Sequence, residues 1–167
     1  VDNVSVGIDE TGSNLDAANF NVSGITFTNV GTAAVQVDAG SISGESNIDD
    51  ITVENSLDAN GVKLGTAGVP LNVTSSTLTD VDRGVTLAAD AVDSRVEIQD
   101  NTFTNATRAI ETTGDGSGDP VIKAHFNTIE DSDTGVHINN PGTAVIDLQF
   151  NDIINSSSDG LNVANSG

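Results

Sequence analysis

Three polar residues in one glycine-rich segment have the spacing of an incomplete calcium-binding loop. Asp115, Ser117 and Asp119 alternate with glycines in the segment TTGDGSGDPV. Oxygen ligands at alternate positions suit a hard cation such as Ca²⁺, which binds them at about 2.4 Å. Pro120, however, stands where such a loop needs glycine, and no Glu closes the loop at its twelfth position. The segment therefore predicts either a weak calcium site or an acidic turn.

Five asparagines begin N-x-S/T sequons, the acceptor sequence for N-linked glycans in secreted proteins: Asn3, Asn21, Asn72, Asn105 and Asn155. We expect Asn21 and Asn72 to point outward from strands, which makes these two the glycosylation candidates. Asn105 and Asn155 are expected to be buried in turns and to be poor acceptors. Glycosylation would place the protein outside the cell.

The charge balance excludes several classes of partner. The chain of 167 residues holds 5 Lys and Arg against 25 Asp and Glu, which gives a formal net charge of −20. Such a surface repels nucleic acid and anionic lipid, so neither is expected as a partner. The scattered acids and the scarcity of Lys resemble proteins of halophiles, in which molar salt screens charges beyond about 3 Å. Binding of divalent cations is the alternative explanation.

Four absences in the sequence bear on its cross-links, its insertion into membranes and its processing. Cysteine is absent, which excludes disulfides and thiolate metal sites. No apolar run is long enough to cross a membrane, and no signal-peptide pattern is present, so we expect no membrane insertion within this segment. Methionine is also absent and the chain begins at Val1, from which we expect a processed product or part of a longer chain.

An internal repeat of about 25 residues indicates the elements that position these groups. One apolar position recurs in each repeat: Phe27, Val53, Leu78, Phe103, Ile129 and Ile153. Two residues later each repeat has an Asn or Asp: Asn29, Asn55, Asp80, Asn105, Asp131 and Asn155. Further apolar positions recur five residues before the first column and about eight residues after it.

Each repeat is predicted to form three short strands, because its apolar residues alternate with polar ones between turn residues. A single repeat cannot bury its apolar side, whereas stacked repeats can. The sequence thus predicts about six full coils forming one domain over residues 1–167, and residues 1–18 are expected to add part of a preceding coil, with Val4 and Val6 matching Val35 and Val37. The recurring Asn and Asp tolerate left-handed turn geometry and are predicted to form a structural ladder along the stack.

Three segments carry a resemblance to a known family: VEIQDNTFTNATRAIET, IKAHFNTIEDSDTGVHI and IDLQFNDIINSSSDGLNV. They resemble the repeat of the right-handed parallel β-helix family, which includes pectate lyases, pectinases and NosD-like surface and periplasmic proteins. The resemblance covers nearly the whole chain and implies an all-β, right-handed parallel β-helix. Because this scaffold carries many activities, the resemblance predicts the fold more specifically than the function.

The family's catalytic patterns are not visible in this sequence. Family enzymes that cleave polyuronates use clustered carboxylates with a neighbouring His, or calcium-bound acids with an Arg or Lys base. His125 and His137 are assigned to different strands of one coil, both facing outward. The basic residues are predicted not to stack beside one another on one strand face: Lys63, Arg83, Arg95, Arg108 and Lys123. We therefore expect no catalytic residues and no cofactor beyond the calcium considered above.

Two outward features remain as candidates for binding. Phe126 and Phe150 fall at the same bend of successive coils, where they either pack inside a locally wider core or form an exposed patch on which a sugar ring could stack. Threonines recur on the outward face of the middle strand, as on the ice-binding face of β-solenoid antifreeze proteins: Thr26, Thr52, Thr77, Thr102 and Thr128. Acidic residues such as Asp152 interrupt this array, and outward Thr is common in strands.

These observations favour a non-catalytic, extracellular structural or adhesive β-helix module adapted to high salt, such as a stalk, fibre or surface-layer-like element that could contact glycans. Its expected partners are further copies, other surface proteins or a polysaccharide. The alternative from another class is a fragment of a polysaccharide-active β-helix enzyme, either a lyase, a hydrolase or an epimerase. A minor alternative is an ice-binding solenoid.

Overall fold

The computed structural model describes residues 1–10, 19–38, 45–65, 70–88, 95–113, 121–139 and 143–164. Within these ranges the chain forms nineteen β-strands and no helix. The short strands follow from the composition: β-branched residues alternate with polar ones, and Gly, Asn, Asp and Ser end each run before it exceeds nine residues. The prediction of an all-β chain is confirmed.

The strands are grouped here by their position in the coil. The first strands of the coils are β2 (Asn21–Ser23), β5 (Ser46–Asp49), β8 (Pro70–Thr74), β11 (Arg95–Gln99), β14 (Val121–His125) and β17 (Val145–Gln149). The middle strands are β3 (Thr26–Thr28), β6 (Thr52–Glu54), β9 (Thr77–Thr79), β12 (Thr102–Thr104), β15 (Thr128–Glu130) and β18 (Asp152–Ile154). The third strands are β1 (Val6–Glu10), β4 (Ala33–Val37), β7 (Ser56–Leu64), β10 (Val81–Ala88), β13 (Arg108–Thr113), β16 (Thr134–Asn139) and β19 (Asp159–Ala164).

Each group forms one parallel sheet in which every strand pairs with the equivalent strand of the next coil. We call these the first, middle and third sheets; they hold six, six and seven strands. Phe103 is in register with Leu78 on one side and Ile129 on the other. The same register continues to Phe27 and to Ile153, so the predicted apolar residues form one vertical column. The parallel β-helix is therefore confirmed.

The core consists of such columns, one or two from each sheet. Phe27, Val53, Leu78, Phe103 and Ile129 have no exposed surface. The third sheet contributes the column through Val35, Val62, Val85, Ile110 and Val136, which is also buried. Each coil buries its apolar side only against the neighbouring coils, so stacking covers the apolar surface that a single repeat would leave exposed to solvent.

One expected alignment at the start of the chain is wrong by four residues. The repeat pattern matches Val4 and Val6 with Val35 and Val37, whereas the structure pairs Ile8 with Val35 and Val6 with Ala33. The physical reason is the side-chain period of two: a shift by four residues, as by any even number, keeps the same face inward, so the apolar pattern alone does not distinguish the two registers.

Two bends per coil use left-handed backbone. The first bend, between the first and middle strands, has positive φ at one residue of every coil: Gly24, Asp50, Ser75, Asp100, Phe126 and Phe150. The second bend, between the middle and third strands, has φ between 52° and 55° at the six Asn and Asp residues predicted as a ladder. Asn and Asp tolerate this region better than other residues with side chains, which explains why the second bend uses them alone.

A column of small residues lets the third strand approach the middle column. A Cβ added at Gly84 would collide with the Phe103 ring and with the carbonyl oxygen of Ala109, and one at Gly61 would collide with Leu78. The same column holds Gly135 and Gly160. The close packing of strand on ring explains why a small residue precedes the apolar residue of every third strand.

A buried hydrogen-bonded column replaces apolar packing in one part of the core. Asn101 and Asn127 are each 1% exposed, although they carry amides. The Asn101 amide donates to Asn127 Oδ1 at 3.1 Å, and the Asn127 amide donates to Asn151 Oδ1 at 2.9 Å. The second donor of each amide reaches the preceding coil, at Val73 O and Ile98 O. Ser76 continues the column by donating its backbone N–H to Asn101 Oδ1.

Candidate functional site: the outward face of the first sheet

The outward file of the first sheet begins as a ladder of amides. Asn47 donates to Asn21 Oδ1 at 3.1 Å, and Asn72 donates to Asn47 Oδ1 at 3.0 Å. Strand alternation points these side chains away from the core, while their neighbours Val22, Ile48 and Val73 point inward and are buried. The file offers amide groups whose remaining donors and acceptors can bind hydroxyl groups.

The same file continues as charged residues in the next three coils. Glu97, Lys123 and Asp147 are in register with one another. Arg95 donates to Glu97, and Lys123 Nζ lies 3.5 Å from Glu97 Oε1. The hydrogen bond from Arg95 and the positive charges of Arg95 and Lys123 hold the pKa of Glu97 below its ordinary value, although partial burial opposes them. Glu97 is therefore an ionised carboxylate at neutral pH.

Two shallow depressions lie on either side of Glu97. The first, about 300 Å³, is lined by Glu45, Pro70, Asn72, Arg95 and Glu97. The second, about 160 Å³, is lined by Gln99, Lys123 and His125 together with Glu97 and Ile98. Both are open to solvent and have polar walls of amides, carboxylates and cations, the groups that fix the orientation of a polar ligand.

Phe126 and Phe150 form an exposed aromatic pair at the first bend. Their rings stack with centroids 5.1 Å apart and an interplanar angle of 7°. Phe126 is 52% exposed and Phe150 is 73% exposed, so the expectation that they pack inside a wider core is wrong and the exposed alternative holds. The bend turns their side chains outward, because the inward position next to each is taken by Asn127 or Asn151.

The backbone at this pair is unfavourable for its residue type. Phe126 has φ 57° and Phe150 has φ 55°, a left-handed conformation that bulky residues rarely adopt. Such a residue costs about 1–3 kcal/mol, whereas Asp50, Ser75 and Gly24 fill the same bend in other coils at lower cost. The fold does not require phenylalanine at these two positions.

Polar side chains surround the aromatic pair. Gln99, His125 and Gln149 are in register on the strand that enters the bend. Gln99 donates to Asp100 Oδ2 at 2.9 Å, and Gln149 donates to Asp147 Oδ1 at 2.7 Å. His125 packs edge-on against Phe126, with ring centroids 6.4 Å apart. Its buried Nε2 lies 3.4 Å from Asp147 Oδ2 and forms no hydrogen bond with any described residue.

A second cluster of ionisable groups lies on the outward face of the third sheet. The Glu111 side chain is 3% exposed, and its two oxygens accept hydrogen bonds from Arg83 and Arg108. Arg83 and Arg108 are register partners on neighbouring strands, so the expectation that no two basic residues stack is wrong. Both are five residues after a residue of the middle apolar column, Leu78 or Phe103, and this equal offset is the signal in the sequence.

The outward face of the middle sheet carries the predicted threonine file. Thr26, Thr52, Thr77, Thr102 and Thr128 are in register, followed by Asp152. Beside them Thr28 Oγ1 donates to Glu54 Oε1 at 3.3 Å. Acidic side chains therefore interrupt both rows of threonines, the one that ends at Asp152 and the one that contains Thr28 and Glu54. The face is for this reason less regular than a surface that orders water.

The second-bend asparagines and aspartates bond to one another in part of the stack. Asn105 donates to Asp80 Oδ1, Asn155 donates to Asp131 Oδ1, and Asn29 donates to Asp2 Oδ1. The side chains lie at the surface, and Asn105 and Asn155 are exposed, so the expectation that these two sequon amides are buried is wrong. Left-handed geometry turns the side chain outward here, while the buried amide column lies at the other bend.

The remaining candidate residues can be placed as follows. Asn21 is exposed, and Asn72 is half-buried and donates to Glu45 as well as to Asn47. The weak calcium candidate formed by Asp115, Ser117 and Asp119 lies outside the described residues. Among the residues that are described, no three or more His, Asp or Glu side chains are grouped so as to hold a metal ion. In the same ranges no helix has the length and apolarity needed to span a bilayer.

Comparisons with protein families, with curated proteins and with solved structures found no match to this chain.

Proposed function

We propose that this chain is a non-catalytic, extracellular structural or adhesive β-helix module, a stalk, fibre or surface-layer element adapted to high salt. The observation that carries the proposal is the continuous parallel pairing of three sheets through six successive sets of strands, within which β7 and β10 shift register between Val81 and Arg83. A stack in which every coil is bonded to the next along three sides resists bending, and its length is set by the number of coils. These are the properties of a spacer or support.

The pairing of ionisable groups supports a role without catalysis. Glu111 is the most enclosed carboxylate of the described residues, yet both of its oxygens are engaged by Arg83 and Arg108. Glu97 is likewise engaged by Arg95. A general acid, base or nucleophile needs a free group within reach of a substrate, and these carboxylates have none to offer.

The acidic surface supports a role in concentrated salt. The net charge of −20 on 167 residues generates self-repulsion that low salt leaves unscreened. Exposed Asn21 and its sequon support an extracellular location, because N-linked glycans are carried by secreted proteins.

An assay of polysaccharide cleavage tests the proposal against the alternative of an enzyme fragment. The purified chain is incubated with polygalacturonate, alginate and a neutral glucan, with and without calcium, in low and in about molar salt. New reducing ends and unsaturated uronate products are measured over time. We expect no turnover. Turnover that is lost in an Asp115→Asn/Asp119→Asn variant, or in an Arg83→Gln variant, would establish the enzyme instead.

Light scattering tests the expected self-association. If the module contributes to a fibre or surface array through its own copies, the mass-average molar mass should rise with protein concentration in molar salt. A strictly monomeric particle in both low and molar salt would count against the proposed structural module.

A further inference from the structure

We propose that Phe126 and Phe150, with the polar side chains beside them, form a binding site for uncharged carbohydrate. The proposal rests on the adhesive side of the function proposed above and names the site and the ligand class. The ligand would place the C–H face of a pyranose ring on an aromatic ring and its hydroxyls on neighbouring amides and carboxylates.

The exposure of Phe126 is intrinsic to the bend. Described coils lie on both sides of it, with Asp100 at the equivalent position before it and Phe150 at the equivalent position after it. Even so, half of the Phe126 surface remains in contact with solvent. The ring stacks on Phe150 through one face. The residue at the equivalent bend of the preceding coil is Asp100, which has no ring to stack on the other face.

The left-handed backbone supplies an independent argument. Phenylalanine at φ 57° is unfavourable, and four other coils use Gly, Ser or Asp at this bend. Burial in the core does not compensate for this cost, because the rings lie outside the core and, among the described aromatic residues, contact only each other and His125. Strained residues that the fold does not need are concentrated at binding and catalytic sites, which points to contact with a ligand.

The neighbouring polar groups match the hydroxyls of a sugar. Gln99 and Gln149 each use one hydrogen bond to orient a carboxylate, Asp100 and Asp147 respectively, and keep further donors and acceptors free. The depression of about 160 Å³ is lined by Gln99 and His125, and His125 in turn packs edge-on against Phe126. An aromatic face beside orienting amide and carboxylate groups is the arrangement that recognises a ligand with one apolar and several polar surfaces.

Charge selects an uncharged ligand over an acidic one. Asp100 and Asp147 lie beside the aromatic pair, Lys123 in the lining of the depression is paired with Glu97 at 3.5 Å, and the whole chain carries −20. A polyuronate or a sulfated glycan would therefore be repelled. A second copy of this chain is also disfavoured as the occupant, because it carries the same charge and two rings offer far less than the roughly 800 Å² per partner that a stable interface buries.

A binding experiment on the full chain uses a variant that suits the geometry of the bend. Phe126→Asn/Phe150→Asn replaces both rings by a neutral residue that tolerates left-handed backbone, so it should fold at least as well as the parent. Leu57→Asn is the matched control, because Leu57 is 65% exposed and lies on the third sheet, away from the site. Circular dichroism verifies that both variants keep the β-structure.

The probes are dextran, soluble β-glucan, polygalacturonate and chitosan oligomers, each in about molar sodium chloride. Binding is measured by affinity electrophoresis and by proton NMR of the ring signals, which five Phe and two His make resolvable. We expect at least one neutral glucan to bind and to shift the Phe126 and Phe150 signals. The double variant should bind at least about tenfold more weakly, the usual effect of losing a central aromatic contact, and Leu57→Asn should bind as the parent does.

Three outcomes would overturn the proposal: no binding of either neutral glucan, binding that the double variant retains, or preferred binding of polygalacturonate. A lower molar mass of the double variant in light scattering would identify a second copy as the occupant. Tighter binding of chitosan than of the glucans, with the same loss in the double variant, would replace the uncharged ligand by an amine-bearing one. Since none of these results depends on turnover, failure of this site leaves the cleavage assay to decide the function proposed above.

Discussion

Asn127 and Asn151 are joined by two hydrogen bonds to one oxygen: Asn151 Oδ1 accepts the Asn127 side-chain amide at 2.9 Å and the Asn127 backbone N–H at 3.0 Å. Asn127 Oδ1 accepts the same pair of bonds from Asn101. Each buried amide is therefore satisfied by the coils before and after it. Because an unsatisfied buried amide is costly, this column makes the register of the last coils specific.

Asn127→Asp is expected to destabilise the fold by about 3 kcal/mol or more. The change replaces the donating NH₂ by an oxygen that faces Ile98 O and Asn151 Oδ1, both acceptors, inside the core. Urea unfolding followed by circular dichroism measures the loss. The control is Asn55→Asp at the exposed second bend, where Asp80 and Asp131 fill equivalent positions and a change within about 0.5 kcal/mol is expected. Equal effects of the two substitutions would contradict the role of the buried column.

Gly84→Ala should also destabilise the fold, by about 3 kcal/mol, because the added methyl group collides with the Phe103 ring and a backbone carbonyl. Gly31→Ala is the matched control. Its new Cβ would lie 3.8 Å from the nearest atom, at ordinary contact distance, and the lower chain entropy of the unfolded state should leave stability unchanged or slightly higher. Midpoints of urea unfolding that do not separate the two variants would refute the close approach of third strand and middle column.

Arg95→Gln should raise the pKa of Glu97 toward its ordinary value. Arg95 is the largest cause of the lowered pKa, through its hydrogen bond and its charge, and Lys123 contributes less. A lowered pKa in the folded state stabilises the fold above the unfolded pKa, and this contribution disappears as pH falls through the folded pKa. NMR titration of the Glu97 carboxyl carbon in the parent, in Arg95→Gln and in Lys123→Gln tests the order of effects. A larger shift in Lys123→Gln would reverse the assignment.

Stability should increase with salt. Raising sodium chloride from about 10 mM to about 1 M shortens the screening length from roughly 30 Å to 3 Å and so removes most of the repulsion among the acids. We expect a gain of roughly 2 kcal/mol, which corresponds to about 6 °C in Tm for a chain of this size. Thermal unfolding followed by circular dichroism across this range of salt measures the gain.

A charge variant separates screening from other effects of salt. Asp50→Asn/Asp131→Asn removes two negative charges at bends where Asn is well tolerated. It should be more stable than the parent in low salt, and the difference should shrink in molar salt. A variant whose advantage is independent of salt would show that self-repulsion does not limit the stability of the parent.

The apolar columns could be predicted from the sequence because their information is periodic. Phe27 to Ile153 recur at nearly constant spacing, and alternation within a strand assigns each residue to the inside or the outside. Thr112 shows the limit of hydropathy alone: it interrupts an apolar column, yet it is 1% exposed and its hydroxyl accepts the backbone N–H of Asn139 at 2.9 Å. A polar residue with a local partner fits where the pattern has a gap.

The location of the amide column was harder to predict than its existence. Asn occurs at both bends, and the periodic pattern alone favours the second bend, where an Asn or Asp stands in every coil. Only the backbone geometry shows that those side chains lie at the surface. The segments NTF, NTI and NDI at Asn101, Asn127 and Asn151 carry the signal for the buried column, since an Asn two residues before an inward residue is itself inward.

The face that holds the candidate site was even less accessible to sequence reasoning. The pattern assigns Phe126 and Phe150 to the same bend, but it does not show whether their side chains point into the core or into solvent. That distinction depends on the alternation of side chains along a strand, which a bend interrupts. The contact of Glu97 with Lys123 joins residues of different coils, and its length depends on rotamers that spacing does not specify.

The inner column changes character along the rod, from Ile25 and Ile51 through Ser76 to Asn101, Asn127 and Asn151. Dispersion contacts between isoleucines tolerate small slips, whereas amides that share acceptors do not. The two ends of the stack should therefore differ in their resistance to unfolding. Under load, or in brief thermal openings, the coils nearest Val1 should unfold first. The coils that contain Asn101, Asn127 and Asn151 should resist a shift of register.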